Sequence, residues 1–254
     1  MEIKNALKAP YLNFGKVILY ALLYLIIIVL FVAFVGVDFL NNLINISSVF
    51  IIIIQIIFFL LAFLLTLLII GNLSNFARGV SEKLYFNIPK LFSFESIVLG
   101  FKLLLIFVIY GIIYQLTTFV NGNFGFIITF VYLILLILFL PSIFTMVSVN
   151  NSFISGFKFN KILKNVFTKN YFVAFGLLIL FLIVYSVLSV IINKLILNLS
   201  SIIGSSIVYS VILNILTFAF YLIILFLFFV SIIALFAQTF EFENSKITKN
   251  KIRR

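Results

Sequence analysis

The sequence predicts an all-α fold: a polytopic integral membrane protein with six transmembrane helices and short amphipathic helices on its cytoplasmic side. Three observations predict it. Of 254 residues, 65% are hydrophobic and only 9% are charged, against about 45–50% and about 25% in a soluble domain. The apolar residues fall into runs near the ~20 that a helix needs to cross a bilayer. The connections between the runs alternate between basic and almost free of positive charge, the pattern that sets orientation in a membrane.

The first run, about 17–36, is longer than the apolar core of a secretory leader (roughly 7–15 residues) and has no small-residue cleavage site after it, so it reads as an uncleaved first span. The second covers about 48–70, the third about 97–118, the fourth about 126–148, the fifth about 171–192 and the sixth about 207–236. Only the third holds a charge, Lys102, which reads as a lysine snorkelling to the headgroups. Pro141 interrupts the fourth, where a kink inside one continuous helix is the simplest reading. The chain is therefore expected to be one transmembrane domain over 1–254, with 237–254 a basic cytoplasmic tail.

Charge fixes the expected orientation. Lys4, Lys8 and Lys16 precede the first run; Arg78, Lys83 and Lys90 lie between the second and third; Lys158, Lys161, Lys164 and Lys169 lie between the fourth and fifth; Lys246, Lys249, Lys251, Arg253 and Arg254 follow the sixth. On the other side stands Lys194 alone. The basic side belongs in the cytoplasm, which places both termini there, and a multi-pass protein of this kind is expected in the cell (plasma) membrane. The net charge of +11 is explained by topology and by anionic lipid headgroups, without nucleic acid as a partner.

The basic connections carry a helical pattern. Phe159, Ile162, Leu163, Val166 and Phe167 recur at i, i+3, i+4, i+7 and i+8, one stripe of a helix, with Lys161 and Lys164 off it. This predicts an amphipathic helix lying in the membrane interface. The phrase Phe92-x-Phe94-x-x-Ile97-Val98 lines up with Phe157-x-Phe159-x-x-Ile162-Leu163, and a weaker counterpart with Pro10, Tyr11 and Phe14 precedes the first run. Three repeated units are expected, each an interfacial segment followed by two spans.

The same connections carry a resemblance. Gly71, Ala77-Arg78-Gly79, Ile88-Pro89-Lys90-Leu91-Phe92 and Gly100-Phe101-Lys102, with Gly156-Phe157-Lys158-Phe159 through Ile162-Leu163 later, are similar to the connections of an archaeal multi-pass membrane family, domain of unknown function 4013. The chain departs from that pattern at Ile88, where the family has Leu, at Lys90, where it has an acidic residue, and at Leu99, where it has Asp. A more distant likeness is to the membrane domains attached to some glycerophosphodiester phosphodiesterases. The resemblance implies a fold and a location and no activity.

Chemistry is restricted by what is missing. With no Cys and no His, disulfides, thiolate chemistry and imidazole-based metal sites are excluded. The acidic residues Glu2, Asp38, Glu82, Glu95, Glu241 and Glu243 all fall outside the runs, so a charged group at mid-membrane, the usual mark of an ion or proton path, is not present. No nucleotide-binding glycine motif occurs. The chain is expected not to be an enzyme and to hold no cofactor. Asn-x-Ser/Thr triplets at Asn45, Asn72, Asn150 and Asn198 are what an Asn-rich chain contains by chance.

Two groups of residues are candidates. Arg78, Lys83, Lys90, Lys158, Lys161, Lys164 and Lys169 form a candidate basic patch for lipid or a partner protein, and Gln55, Gln115 and Asn214 are the candidate lining of a polar cavity. The first suggests a non-enzymatic scaffold or partner subunit contacting membrane lipids and another membrane or cytoplasmic protein. The second suggests a transporter or facilitator of a small or lipidic solute.

Overall fold

A computed structural model describes residues 2–44, 48–82, 88, 93–203 and 207–252, with side chains for 2–36, 49–82, 88, 93–195 and 217–240. Among the described residues every regular element is a helix: α1 (Ile3–Leu12), α2 (Phe14–Ile44), α3 (Ser48–Ser81), α4 (Phe94–Thr118), α5 (Gly122–Asn150), α6 (Phe159–Val166), α7 (Lys169–Ile203) and α8 (Ile207–Ile252). A 3-10 turn, Phe153–Phe157, leads from α5 to α6.

The long helices α2, α3, α4, α5, α7 and α8 contain the six segments long and apolar enough to cross a membrane, and each covers one of the six expected runs. Apolar side chains project outward along them: Phe31 and Val32 on α2, Ile56 and Phe59 on α3, Ile127 and Phe130 on α5, Ile183 and Val187 on α7 are all exposed. Helices apolar on every side are stable only in a large core or in lipid, and the intrahelical hydrogen bonding that hydrocarbon demands is what helices supply. The chain is an all-α multi-pass membrane protein.

The helix ends follow local chemistry. Ser93 takes an extended conformation before α4 and its hydroxyl accepts from the Ser96 amide at 3.1 Å, with Glu95 in the first turn where a negative charge suits the helix dipole. Asn151 ends α5 in the left-handed conformation (φ 47°, ψ 34°) that Asn tolerates better than most residues. Between α4 and α5, residues 119–121 make a turn so tight that a side chain on Gly125 would lie 1.6 Å from the Val120 carbonyl oxygen.

Two compact units result. One comprises Met1–Asn13, Leu67–Leu178 and Val230–Arg254; the other comprises Phe14–Thr66 and Ile179–Phe229. The first holds α1, the end of α3, all of α4, α5 and α6, the start of α7 and the end of α8. Every described basic side chain except Lys16 and Lys194 belongs to it. The second consists of helix segments whose rings pack on each other, as Tyr24 on Phe226 and Phe181 on Phe228.

One expectation is corrected here. The phrase at Phe94–Val98 does not form an interfacial segment of its own; it is the first turn of α4, running unbroken into the span. Among the described residues, α1 and α6 are the separate short helices ahead of a long one. Beyond 236, α8 continues as helix to Ile252, and Ala237, Gln238 and Thr239 are buried.

Candidate functional site

The basic surface centres on α6. Its apolar stripe divides in two. Ile162 and Val166 are fully buried and Asn165 nearly so, docking the helix on the protein, while Phe159 (50% exposed), Leu163 and Phe167 (69% exposed) turn outward. Lys158, Lys161, Lys164 and Lys169 are exposed beside them. The segment 153–169 contains no acidic residue. A shallow, open depression of about 450 Å³ is lined by Phe157, Lys158, Phe159, Asn160 and Lys161. Lysines and aromatic rings mixed on one exposed face suit a headgroup layer, where ammonium groups meet phosphates and rings reach the acyl boundary.

What holds this face in place is a set of buried polar contacts at the end of α5. Pro141 has no amide proton and disturbs the hydrogen-bond ladder behind it. The Tyr171 hydroxyl from α7 lies beside it, donating to the Leu138 carbonyl. The Asn165 amide reaches from α6 to the Ser142 hydroxyl at 3.2 Å and to the Thr239 hydroxyl of α8 at 3.3 Å. One of these contacts, from Tyr171, reaches the α5 backbone one turn before the proline, the kind of contact that helps a membrane helix tolerate one. The 3-10 turn is wedged against α4 and α5: Ser155 and Gly156 are buried, Tyr110 donates to the Gly156 carbonyl at 3.0 Å, and its ring stacks on Phe157 at 5.8 Å. A side chain at Gly156 would meet Ile106 at 2.8 Å.

A second fixed region joins α3 to α4. Side chains added at Gly71 and Gly100 would lie 1.6 Å from the Ser96 carbonyl oxygen and 2.0 Å from the Leu67 carbonyl oxygen, so the two backbones touch. Around that crossing, Ser96 donates to Asn72 at 2.9 Å, Asn75 donates to Ser96 at 2.9 Å, and Ser74 donates to Ser148 of α5 at 2.6 Å.

The expected site residues are distributed as follows. Arg78 is paired with Glu95 at 2.9 Å on the surface, so its charge is partly answered within the protein. Lys83 and Lys90 lie outside the described residues. Lys158, Lys161, Lys164 and Lys169 are brought together on and beside α6. Lys102 does not simply extend outward: its ammonium donates to the Asn151 carbonyl and side-chain oxygens, both at 3.0 Å, closing the negative end of α5. Gln55 donates to the Phe34 carbonyl at 3.3 Å in the second unit, whereas Gln115 is an exposed residue of α4 in the first. Asn214 lies on α8, with its side chain outside the described residues.

Residue spacing did not point to Asn165, Ser142, Tyr171 or the Asn72–Ser96 group. The available signal was compositional: Ser, Thr and Asn concentrate where α3, α5 and α8 reach the basic side, as in Asn72-Leu73-Ser74-Asn75 and Ser142 through Asn151. No protein-family model, no curated protein and no solved structure matches the chain.

Proposed function

We propose that the chain is a non-enzymatic membrane scaffold or partner subunit of the cell membrane, with both termini and its basic side in the cytoplasm, and that the α6 face binds anionic phospholipid headgroups. The single observation that carries this reading is the exposed set Lys158, Lys161, Lys164 and Lys169 interleaved with exposed Phe159, Leu163 and Phe167, in a segment with no acidic residue. The orientation rests on the charge asymmetry between the two sides. An acidic membrane or cytoplasmic protein would find the same chemistry on this face.

The facilitator reading needs Gln55, Gln115 and Asn214 along one path, and no specific observation favours it over the scaffold. Membership of domain of unknown function 4013 belongs to the same proposal. It is supported by the physical role of Gly71 and Gly100, two positions of the shared pattern, at the α3–α4 crossing.

The test is lipid retention. Each lysine near an anionic surface contributes about 1 kcal/mol. The variant with Lys158, Lys161, Lys164 and Lys169 all changed to Gln is expected to co-purify with far less phosphatidylglycerol or other anionic lipid, read by native mass spectrometry, while retaining phosphatidylcholine as before. Equal retention of anionic lipid by the two proteins would refute the reading.

A further inference from the structure

We infer that α1 is a second lipid-engaging anchor, built on the plan of α6, and that both present one surface to an anionic phospholipid leaflet. This rests on the reading of α6 given above. The two helices match at their buried positions and at their exposed apolar ones. Ala6, Ala9 and Pro10 of α1 are buried, at the spacing of the buried Ile162, Asn165 and Val166 of α6. Ile3, Leu7 and Tyr11 are exposed, Tyr11 by 71%, at the spacing of the exposed Phe159, Leu163 and Phe167. Lys8 falls where Lys164 does, and Lys4 extends the basic stripe by one turn.

In each helix the exposed apolar stripe therefore lies between the docked face and the lysines. A helix placed flat in the interface needs that order: protein on one flank, acyl chains beneath, phosphates along the outer edge. The docked face of α1 is carried by Ala6, Ala9 and Pro10, and among the described residues Leu7 and Tyr11 lie outside it. In the sequence, α1 is followed through Asn13 by the membrane-length run of α2.

A second observation joins the two helices. The Glu2 amide donates to the Gln238 side chain at 2.7 Å, and Gln238 returns a long contact to the Glu2 carbonyl at 3.5 Å. The next residue of α8, Thr239, accepts from Asn165 of α6. Adjacent positions on one helix thus hold the two short helices. At its other end α1 is fixed by Asn13, whose side chain accepts the Ile88 amide at 3.1 Å and donates to the Ala9 carbonyl at 3.0 Å.

The chain contains no cysteine, so a spin label can be placed at will. Leu7→Cys and Leu163→Cys, each in the full chain, are labelled and reconstituted in vesicles of phosphatidylcholine with phosphatidylglycerol. Relaxation by oxygen, which concentrates in lipid, is compared with relaxation by a water-soluble nickel chelate. Both labels are expected to be relaxed more by oxygen. In the Lys4→Gln, Lys8→Gln background the Leu7 label is expected to shift toward nickel, with the preference for phosphatidylglycerol over phosphatidylcholine reduced on the order of tenfold. A Leu7 label exposed to nickel beside a Leu163 label protected from it would overturn the proposal for α1 alone. Exposure of both would overturn the reading of α6 as well. A Leu7 label protected equally with and without its lysines would leave an apolar anchor and sink the claim of anionic-lipid recognition.

Discussion

A missing side chain is the most consequential feature at Gly100. Its Cα approaches the Leu67 carbonyl of α3 so closely that a methyl group would sit 2.0 Å from the oxygen and 2.8 Å from the carbon, both rigid backbone atoms. Only movement of a whole helix would relieve that clash. Gly111 lies farther along the same helix with nothing within 4 Å of where its side chain would be. Gly100→Ala is therefore expected to lower stability by about 1–3 kcal/mol, the usual cost of overpacking, seen as a lower melting temperature in detergent. Gly111→Ala is expected to be neutral or to gain up to about 1 kcal/mol from helix propensity. Equal melting temperatures for the two variants would contradict the crossing. Residue identity alone could not separate these glycines, because the difference lies in what stands opposite each of them.

At the scale of the element, α6 shows how one stripe can serve two tasks. The spacing of Phe159, Ile162, Leu163, Val166 and Phe167 announced an amphipathic helix, and one forms there. It did not announce that Ile162 and Val166 would pack inward while the other three face outward. Five apolar residues spread over an arc wider than one contact can cover, so tertiary packing claims one edge of it and leaves the other exposed. Ile162→Asp is expected to undock α6 and expose the 153–169 segment to limited proteolysis, since an unpaired carboxylate would be forced into a dry site. Phe159→Asp is expected to leave the proteolysis pattern unchanged and to weaken association with anionic vesicles. If Phe159→Asp opened the segment as readily as Ile162→Asp, the division of the stripe would be wrong. The phrase at Phe94 illustrates the converse: similar spacing became the first turn of a span because Ser93 caps the helix there and nothing interrupts it before Thr118.

For the whole molecule, orientation is the property most open to test. Single cysteines at Lys158 and Val120, in the full chain expressed in cells, are expected to react oppositely with a membrane-impermeant maleimide: Lys158→Cys protected until the cells are opened, Val120→Cys labelled at once. The reverse pattern would invert the topology and move the basic surface to the outer leaflet. The expectation follows from charge, because lysines flanking a span are held on the cytoplasmic side during insertion.

The sequence by itself determined that the chain lies in a membrane, that six helices cross it, and which connections are basic. Each of these depends on sums over many residues, apolar content against bilayer thickness and lysine count by connection, and such sums need no knowledge of neighbours. Tertiary structure alone decided which side chain meets the α5 backbone beside Pro141, why Gly100 is confined where Gly111 is not, that Lys102 spends its charge on the end of α5, and which half of the α6 stripe faces out. Each of these is a contact between residues far apart in the chain, Tyr171 with Leu138 or Asn165 with Thr239. A contact of that kind leaves no period and no composition to read, because its energy exists only when both partners are brought to the same place.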